Sequence, residues 1–540
     1  MSSNAYEWAF LSHGAHTASH ILSERKRSDR RLFLLLLIVT CCLVPLLVVG
    51  GIKLGIGLVL ALLGVIVVVA LLVIWPVFGF FVVLACTLFI DQSPLPILDN
   101  KPMIYVFYWP NSLQGLPDRP IGFVMLLILI VLFVTGLLQR KKLLRGGKLI
   151  LPYLALMACV AWGVVHGLTS GGNLKITVDE VRPFWYLFVG YLLAYNLIRS
   201  KKHLHILFWC IILCAGFKAL EGCYIYFFVI HGDLAGNHEI MSHEESYFWI
   251  SIVILIMLLS LYYKCRAQLY TALALLPALL LALVANNRRA DFVALLVGMM
   301  VVWLLMFLTK PESRRWLVTL LLVVSILGGA YVAAFYKQSG GFSEPARSVV
   351  SVFYPDATEA ASNAYRDIEN YDLQYTVKLN PMGLGFGKPF LQPILLPNLL
   401  SLDPVYLFIP HNTIYWVWMR MGPLGYLAVW YLFGSIITRG CIYARKLKDR
   451  YLQFVAIYVV AMVVMEIIVA YADYQLSFYR NVIYVGILAG VLMKLPALDG
   501  QSETSLPVDQ KKDMILGQAP LHRMQGLVKE ADSPSESEQG

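Results

Sequence analysis

His411 and Asn412 stand between Pro410, which closes a long polar stretch, and an apolar, aromatic run opening with Thr413-Ile414-Tyr415-Trp416. That order sets a titratable imidazole at the lip of a hydrophobic wall, where an enzyme acting on a lipid-borne substrate needs a group that takes up a proton. Interfacial packing is the alternative for a lone histidine. Asn412 either fixes the tautomer of that imidazole or caps the helix behind it. Arginines offer a second chemistry, the holding of an anion. Arg288 and Arg289 are adjacent in Asn286-Asn287-Arg288-Arg289-Ala290-Asp291, and Arg366 lies in Ala364-Tyr365-Arg366-Asp367-Ile368-Glu369. Arg182, in Asp179-Glu180-Val181-Arg182-Pro183, is a candidate for the same clamp. The plain alternatives are an Arg289–Asp291 ion pair, a solvated surface charge at Arg366 and a helix-start salt bridge at Arg182. Gly383 and Gly385, in Pro381-Met382-Gly383-Leu384-Gly385, permit positive φ and close approach of backbone to a ligand, or make a helix stop and tight turn.

Weaker candidates complete the set. His243-Glu244-Glu245 has the residue types of a metal site, but adjacent positions converge poorly on one ion. Asp473-Tyr474-Gln475 reads as a polar turn. Lys218 and Glu221, one turn apart within an apolar run, are expected to pair on one helix face.

The elements that must position these residues are membrane helices. Of 540 residues, 59% are hydrophobic and 14% charged, and mean hydropathy is +0.70, too much apolar surface for a soluble protein to bury. Repeated apolar runs of about 18 residues or more mark spanning helices; the short alternating segments of a β-barrel do not occur. Runs fall near 32–50, 54–73, 75–91, 120–138, 149–168, 183–198, 204–230, 246–263, 268–286, 292–308, 317–336, 413–436, 451–472 and 478–495. The fold class is all-α and polytopic, with about 12–14 transmembrane helices. The net charge of +10 does not point to nucleic acid, because the basic residues sit in short clusters between runs. Arg140-Lys141-Lys142, Arg199 to His203, Lys264 with Arg266, Lys310 to Arg315 and Arg439 to Arg450 fall on alternate connections, the pattern of a positive-inside bias. Both termini are then cytoplasmic, and 92–119, 169–182, 231–245, 287–291, 337–412 and 473–477 face outward. Two adjacent arginines at 288 and 289 run against that bias, which favours an anionic ligand there.

The chain divides into a cytoplasmic leader (1–31), about eleven helices (32–336), one large extracytoplasmic loop (337–412), about three further helices (413–495) and a polar cytoplasmic tail (496–540). Ser362 to Leu379 reads as an amphipathic helix within the loop. The first apolar run lacks a small-residue cleavage site and is expected to remain as a helix. The cysteines, among them Cys41, Cys42, Cys86, Cys159, Cys210, Cys214 and Cys223, lie almost all in apolar runs and read as small fillers rather than disulfides or metal ligands.

Taken in order, Arg366, Pro381-Met382-Gly383-Leu384-Gly385, His411-Asn412 and Gly422-Pro423-Leu424-Gly425 resemble the superfamily of O-antigen ligases and Wzy-type O-antigen polymerases. The specific likeness covers about 340–436; Arg288-Arg289-Ala290 stands where the family often has a Ser-Arg-Gly-like element, and His243 to Glu245 where an asparagine-containing turn is common. The resemblance implies a C-type glycosyltransferase-like fold in the bacterial cytoplasmic (inner) membrane. It implies a glycan donor on a polyprenyl diphosphate, no cofactor and no metal. The acceptor is another lipid-linked glycan, the lipid A core or a protein side chain. Arginines would hold the diphosphate leaving group, which gains negative charge as the glycosidic bond breaks. His411 would act as general base on the acceptor hydroxyl, with Arg366 as its catalytic partner. Arg288, Arg289, Arg182, Asn412, Gly383 and Gly385 would contact substrate.

Two other readings compete with glycan polymerisation or ligation. A protein O-oligosaccharyltransferase would share these motifs. A lipid-linked glycan flippase or other transporter would place its charges at mid-membrane in broken helices.

Overall fold

The computed structural model describes residues 67, 69–90, 118–138, 144–232, 240–262, 265–338, 343–351, 354, 357–396 and 407–504. The leader, the 32–50 run, most of the 54–73 run, most of 92–119, Arg140-Lys141-Lys142, Lys264, Cys41, Cys42 and the tail beyond Thr504 lie outside the described residues.

The described residues form helices and no strands. In chain order these are α1 (Pro76–Phe89), α2 (Pro120–Leu138), α3 (Ile150–Thr169), α4 (Leu174–Leu197), α5 (Lys201–Tyr224), α6 (His243–Tyr262), α7 (Arg266–Ala285), α8 (Arg289–Thr309), α9 (Arg314–Phe335), α10 (Glu344–Ser351), α11 (Ala357–Leu379), α12 (Thr413–Lys446), α13 (Arg450–Ala472) and α14 (Tyr479–Thr504). Ten described helices are long and apolar enough to cross a membrane. The protein is a polytopic all-α membrane protein.

Helix starts follow capping chemistry. Asn173, Asn412 and Asp449 each accept a hydrogen bond from a backbone N–H in the first turn of α4, α12 and α13, each cap contributing about 1 kcal/mol. The cap at Asn173 corrects one expectation. The apolar run begins at Pro183, but α4 starts nine residues earlier and carries Pro183 inside it. Charged residues on those first turns find partners in the bundle, so polarity there does not end the helix. At the far end, α14 continues past the expected limit at 495 to Thr504.

α6, α13 and α14 form the centre, with Trp249, Tyr247, Tyr458 and Tyr484 fully buried among them. The Tyr458 and Tyr484 hydroxyls satisfy each other at 2.6 Å, as polar tips in a lipid-surrounded core must. α9 is peripheral, with nearly every residue exposed. α12 is two helices joined at a kink, where Gly422 adopts φ +69° and Pro423 follows. Cys86, Cys159, Cys210, Cys214, Cys223, Cys265 and Cys441 are free thiols.

The two ends of the bundle differ in chemistry. Lys201 pairs with Asp449 at 2.5 Å at one end, beside Arg199, Arg445 and Arg450. The starts of α6, α8 and α12 and the finish of α13 meet at the opposite end, covered by α11.

Candidate active site

α11 brings the first pieces together. Arg366, Glu369, Asn370 and Leu373 recur at i, i+3, i+4 and i+7, so they share one helix face. Leu373 anchors that face, fully buried. Glu369, 2% exposed, takes both polar groups of His411: the backbone N–H donates to Oε2 at 3.0 Å, and Nδ1 lies 3.1 Å from Oε1. A carboxylate at Nδ1 holds the proton on that nitrogen and leaves Nε2 as the basic one. Among the described residues no hydrogen bond engages Nε2, and the side chain retains 26% exposure, so the imidazole is oriented yet reachable. Asn412 is the cap: its Oδ1 accepts from the Tyr415 N–H at 3.2 Å, and its Nδ2 donates to Asn370 Oδ1 at 3.0 Å. Of the two sequence alternatives for Asn412, the structure shows capping; the tautomer belongs to Glu369. Thr413 ties this corner to α13, its hydroxyl donating to the Ala470 carbonyl at 2.8 Å.

That tie brings Asp473 close. The carboxylate is 5% exposed, and its Oδ2 lies 2.6 Å from Nδ1 of His243 at the start of α6. Burial by itself would raise this carboxyl, but His243, Arg288 and His411 together hold it well below the usual carboxylate range. Asp473 therefore carries its charge throughout the neutral range. The Tyr474 ring touches both imidazoles, with centroids 5.4 Å from His411 and 5.6 Å from His243, and Tyr365 packs edge-on against His411 at 5.7 Å.

The arginines come from two directions. Asn286 is fully buried, accepts from the Met241 N–H at 2.9 Å and donates to the Ser246 hydroxyl at 2.8 Å. Asn287 then turns with φ +50°, a conformation asparagine tolerates better than most residues. This pinned turn swings Arg288 to the start of α8, where it faces Asp473 and Asp291. Arg366 faces Asp473, Glu369 and Arg289 from α11. Burial lowers the affinity of both Arg288 and Arg366 for their protons, and the acidic neighbours oppose that. The structure thus brings together His411, Arg366, Arg288 and Arg289, and adds Glu369, Asp473 and His243.

Other candidates lie elsewhere. Arg182 donates to Asp179 at 2.5 Å, Asp118 at 3.1 Å and the Tyr479 hydroxyl at 2.8 Å, which is the helix-start salt bridge enlarged into a network. Gly383 and Gly385 have φ of +96° and +83°. A Cβ on Gly383 would stand 2.6 Å from the Gly422 nitrogen, and one on Gly385 2.4 Å from the Gly167 Cα. The close approaches these glycines permit are to the protein's own backbone. Beneath them Arg420, fully buried, pairs with Glu180 at 2.6 Å and donates to the carbonyls of Gly385, Lys388 and Phe408. Glu180 also accepts from the Gly387 N–H and the Trp416 indole. The pair clasps the loop to α4 and α12. Lys218 and Glu221 pair at 2.7 Å on α5, as their spacing predicts.

Residues 272–430, from α7 to just beyond the kink in α12, match the family model described as O-Antigen ligase. This segment belongs to the O-antigen ligase-like superfamily. A comparison with curated protein sequences finds no match. The O-antigen ligase segment contains Arg288, Arg289, Arg366, Glu369 and His411. His243 and Asp473 reach the same cluster from α6 and from the end of α13, outside it. Sequence reasoning assigned no role to Glu369 and took Asp473 for a polar turn. A signal existed for Glu369, one helical turn after Arg366 on the same face. None existed for the His243–Asp473 pair, whose partners are 230 positions apart in the chain.

Proposed function

We propose that this cluster transfers a glycan from a polyprenyl diphosphate to an acceptor hydroxyl, as an O-antigen ligase or polymerase does. Glycosyl transfer of the ligase type is the activity of the superfamily, and the placement of His411 supports the reading most directly. Its Nδ1 faces a buried glutamate, its Nε2 is reachable, and Arg288 and Arg366 converge on the same space.

The acceptor oxygen attacks the anomeric carbon, and its proton passes to His411 Nε2. The bond from that carbon to the diphosphate oxygen breaks, and the electron pair leaves with the diphosphate. Arg288 and Arg366, with Arg289 behind them, neutralise that charge in a partly shielded site, where fixed cations are worth more than in water. The half-buried arginines have already shed part of their hydration, so less reorganisation is needed as charge develops. Glu369 keeps the imidazole in its accepting tautomer, the part a carboxylate plays in other His-based sites.

The site end faces away from the cytoplasm in this reading. The opposite end carries Arg199, Lys201, Arg314, Arg445 and Arg450, which a positive-inside bias retains in the cytoplasm of a bacterial inner-membrane protein. Residues 337–412 then form the extracytoplasmic loop.

The test is transfer from a lipid-linked donor by purified full-length protein. His411→Ala is expected to lower turnover about 10²–10⁴-fold, the usual contribution of a positioned base, with membrane insertion intact and activity of the parent protein surviving EDTA. Undiminished transfer by His411→Ala would end the proposal, and reporter fusions within 337–412 that signal from the cytoplasm would end its topology.

A further inference from the structure

Asp473 is the common counter-ion of a site that, on the reading above, must attract a diphosphate. His243 contacts it at 2.6 Å, and Arg288, Arg366 and His411 face it. Every ångström of influence that Asp473 exerts on the arginines is charge withheld from an anionic ligand. His243 is the imidazole in direct contact with Asp473, able to cancel its charge in one protonation state and release it in another.

We infer that His243 and Asp473 form a titrating counter-ion pair that sets how much positive charge Arg288 and Arg366 present to the donor diphosphate. With a proton on His243, the imidazolium and Asp473 neutralise each other and the arginines turn their charge to the ligand. Without it, Asp473 draws on the arginines and the donor binds more weakly. His243 is thus a positioning residue, acting through Asp473, and its role is separate from proton removal by His411. The inference rests on the diphosphate reading of the site.

The geometry supports this division. His243 lies at the first turn of α6 and meets Asp473 at the close of α13, whereas the Nδ1 of His411 is held by a different carboxylate, Glu369. Its charged surroundings are acidic: Asp473 from the α13 terminus, Glu244 from α6 itself and Asp291 from α8. Asp473 is faced in turn by Arg288, from the turn before α8, and by His411. Arg366 reaches it from α11, and Gln475 Nε2 lies 3.4 Å from its Oδ2. Glu466 on α13 faces both Asp291 and Asp473. A proton on His243 is therefore held by acids, and Asp473 is the group it shares with the arginines.

Donor KM and kcat are measured against pH across the neutral range, and binding of a polyprenyl diphosphate without glycan is measured in parallel. In the parent protein KM for donor rises as His243 loses its proton. His243→Gln, which keeps a hydrogen-bond donor toward Asp473 and cannot titrate, is expected to raise donor KM about five- to tenfold on the acidic side, the scale of one charge acting several ångströms away. It is expected to flatten the pH dependence of KM and to change kcat little. His243→Arg, permanently charged, should keep KM low at every pH. Adding Asp473→Asn to His243→Gln should return KM toward the parent value, because the uncancelled anion is gone. A merely structural role predicts the opposite, a double variant worse than either single one. Retained pH dependence of KM in His243→Gln, or a double variant with additive losses, overturns the inference. Polyprenyl diphosphate binding keeps the two claims apart. Transfer that survives in His411→Ala sinks the catalytic reading, whereas loss of transfer in His411→Ala with diphosphate binding indifferent to His243 sinks this inference alone.

Discussion

Two of the arginine–carboxylate centres in this bundle use the same residue types to opposite ends. Around Arg420 the partners are the protein's own: the guanidinium meets Glu180 and three backbone carbonyls, Glu180 meets an indole and a backbone N–H besides, and both charged side chains are fully buried. Around Arg366 and Arg288 the cations face shared acids, His411 keeps partial exposure, and two imidazoles flank one tyrosine ring. A fully buried ion pair whose partners are all groups of the protein is a scaffold, because a ligand cannot reach it. Charges gathered beside a partly exposed imidazole are open to a ligand, as the proposed function requires. The clasp is also the nearest thing here to the broken, charged helices of a transporter: Arg420 lies just before the Gly422 kink. Its contacts to Glu180 and to the carbonyls of Gly385, Lys388 and Phe408 assign it to holding the loop in place.

The largest effect expected from testing this contrast is structural. Arg420→Ala leaves Glu180 buried with no cation and should cost about 3–5 kcal/mol of stability, read as a drop in the thermal unfolding midpoint in detergent. Glu180→Gln in the same chain should recover part of it. Retained stability in Arg420→Ala would erase the distinction between the centres. Next comes Glu369→Gln, which keeps the size of the side chain that orients His411 and changes its charge. Turnover should fall by up to about a hundredfold, less than loss of the base itself, while the unfolding midpoint moves little. A variant that unfolds instead would make Glu369 part of the scaffold. The smallest effect belongs to Asn412→Ala, at the joint between the centres on α12. Loss of the cap should cost about 1 kcal/mol, with turnover falling modestly as the Asn370 contact is lost.

Much of this was legible before any coordinates. Apolar runs located most of the described membrane helices to within a few residues, because a bilayer demands length and hydrophobicity, although α12 and α14 run on to Lys446 and Thr504, past the expected limits at 436 and 495. α4 carried enough charge on its first turns to hide its start, since those charges are satisfied in part by distant partners such as Asp118. His411 and Arg366 were visible because a histidine at a membrane lip and an arginine on an amphipathic helix are unusual local choices. The glycine turn was visible too, but its use was not: only the folded chain shows that Gly163, Gly167 and Gly422 occupy the space around it.

The sequence by itself determined the class of the protein, the order of its helices and the residue types available for chemistry, since each follows from local composition and period. Tertiary structure alone decided which charges are spent and which are offered. Arg182, Arg420 and Arg288 look alike along the chain. Only the positions of Asp118, Glu180 and Asp473, brought close by helix packing, separate network, clasp and site, because an electrostatic partner is chosen by distance in space and not by distance along the sequence.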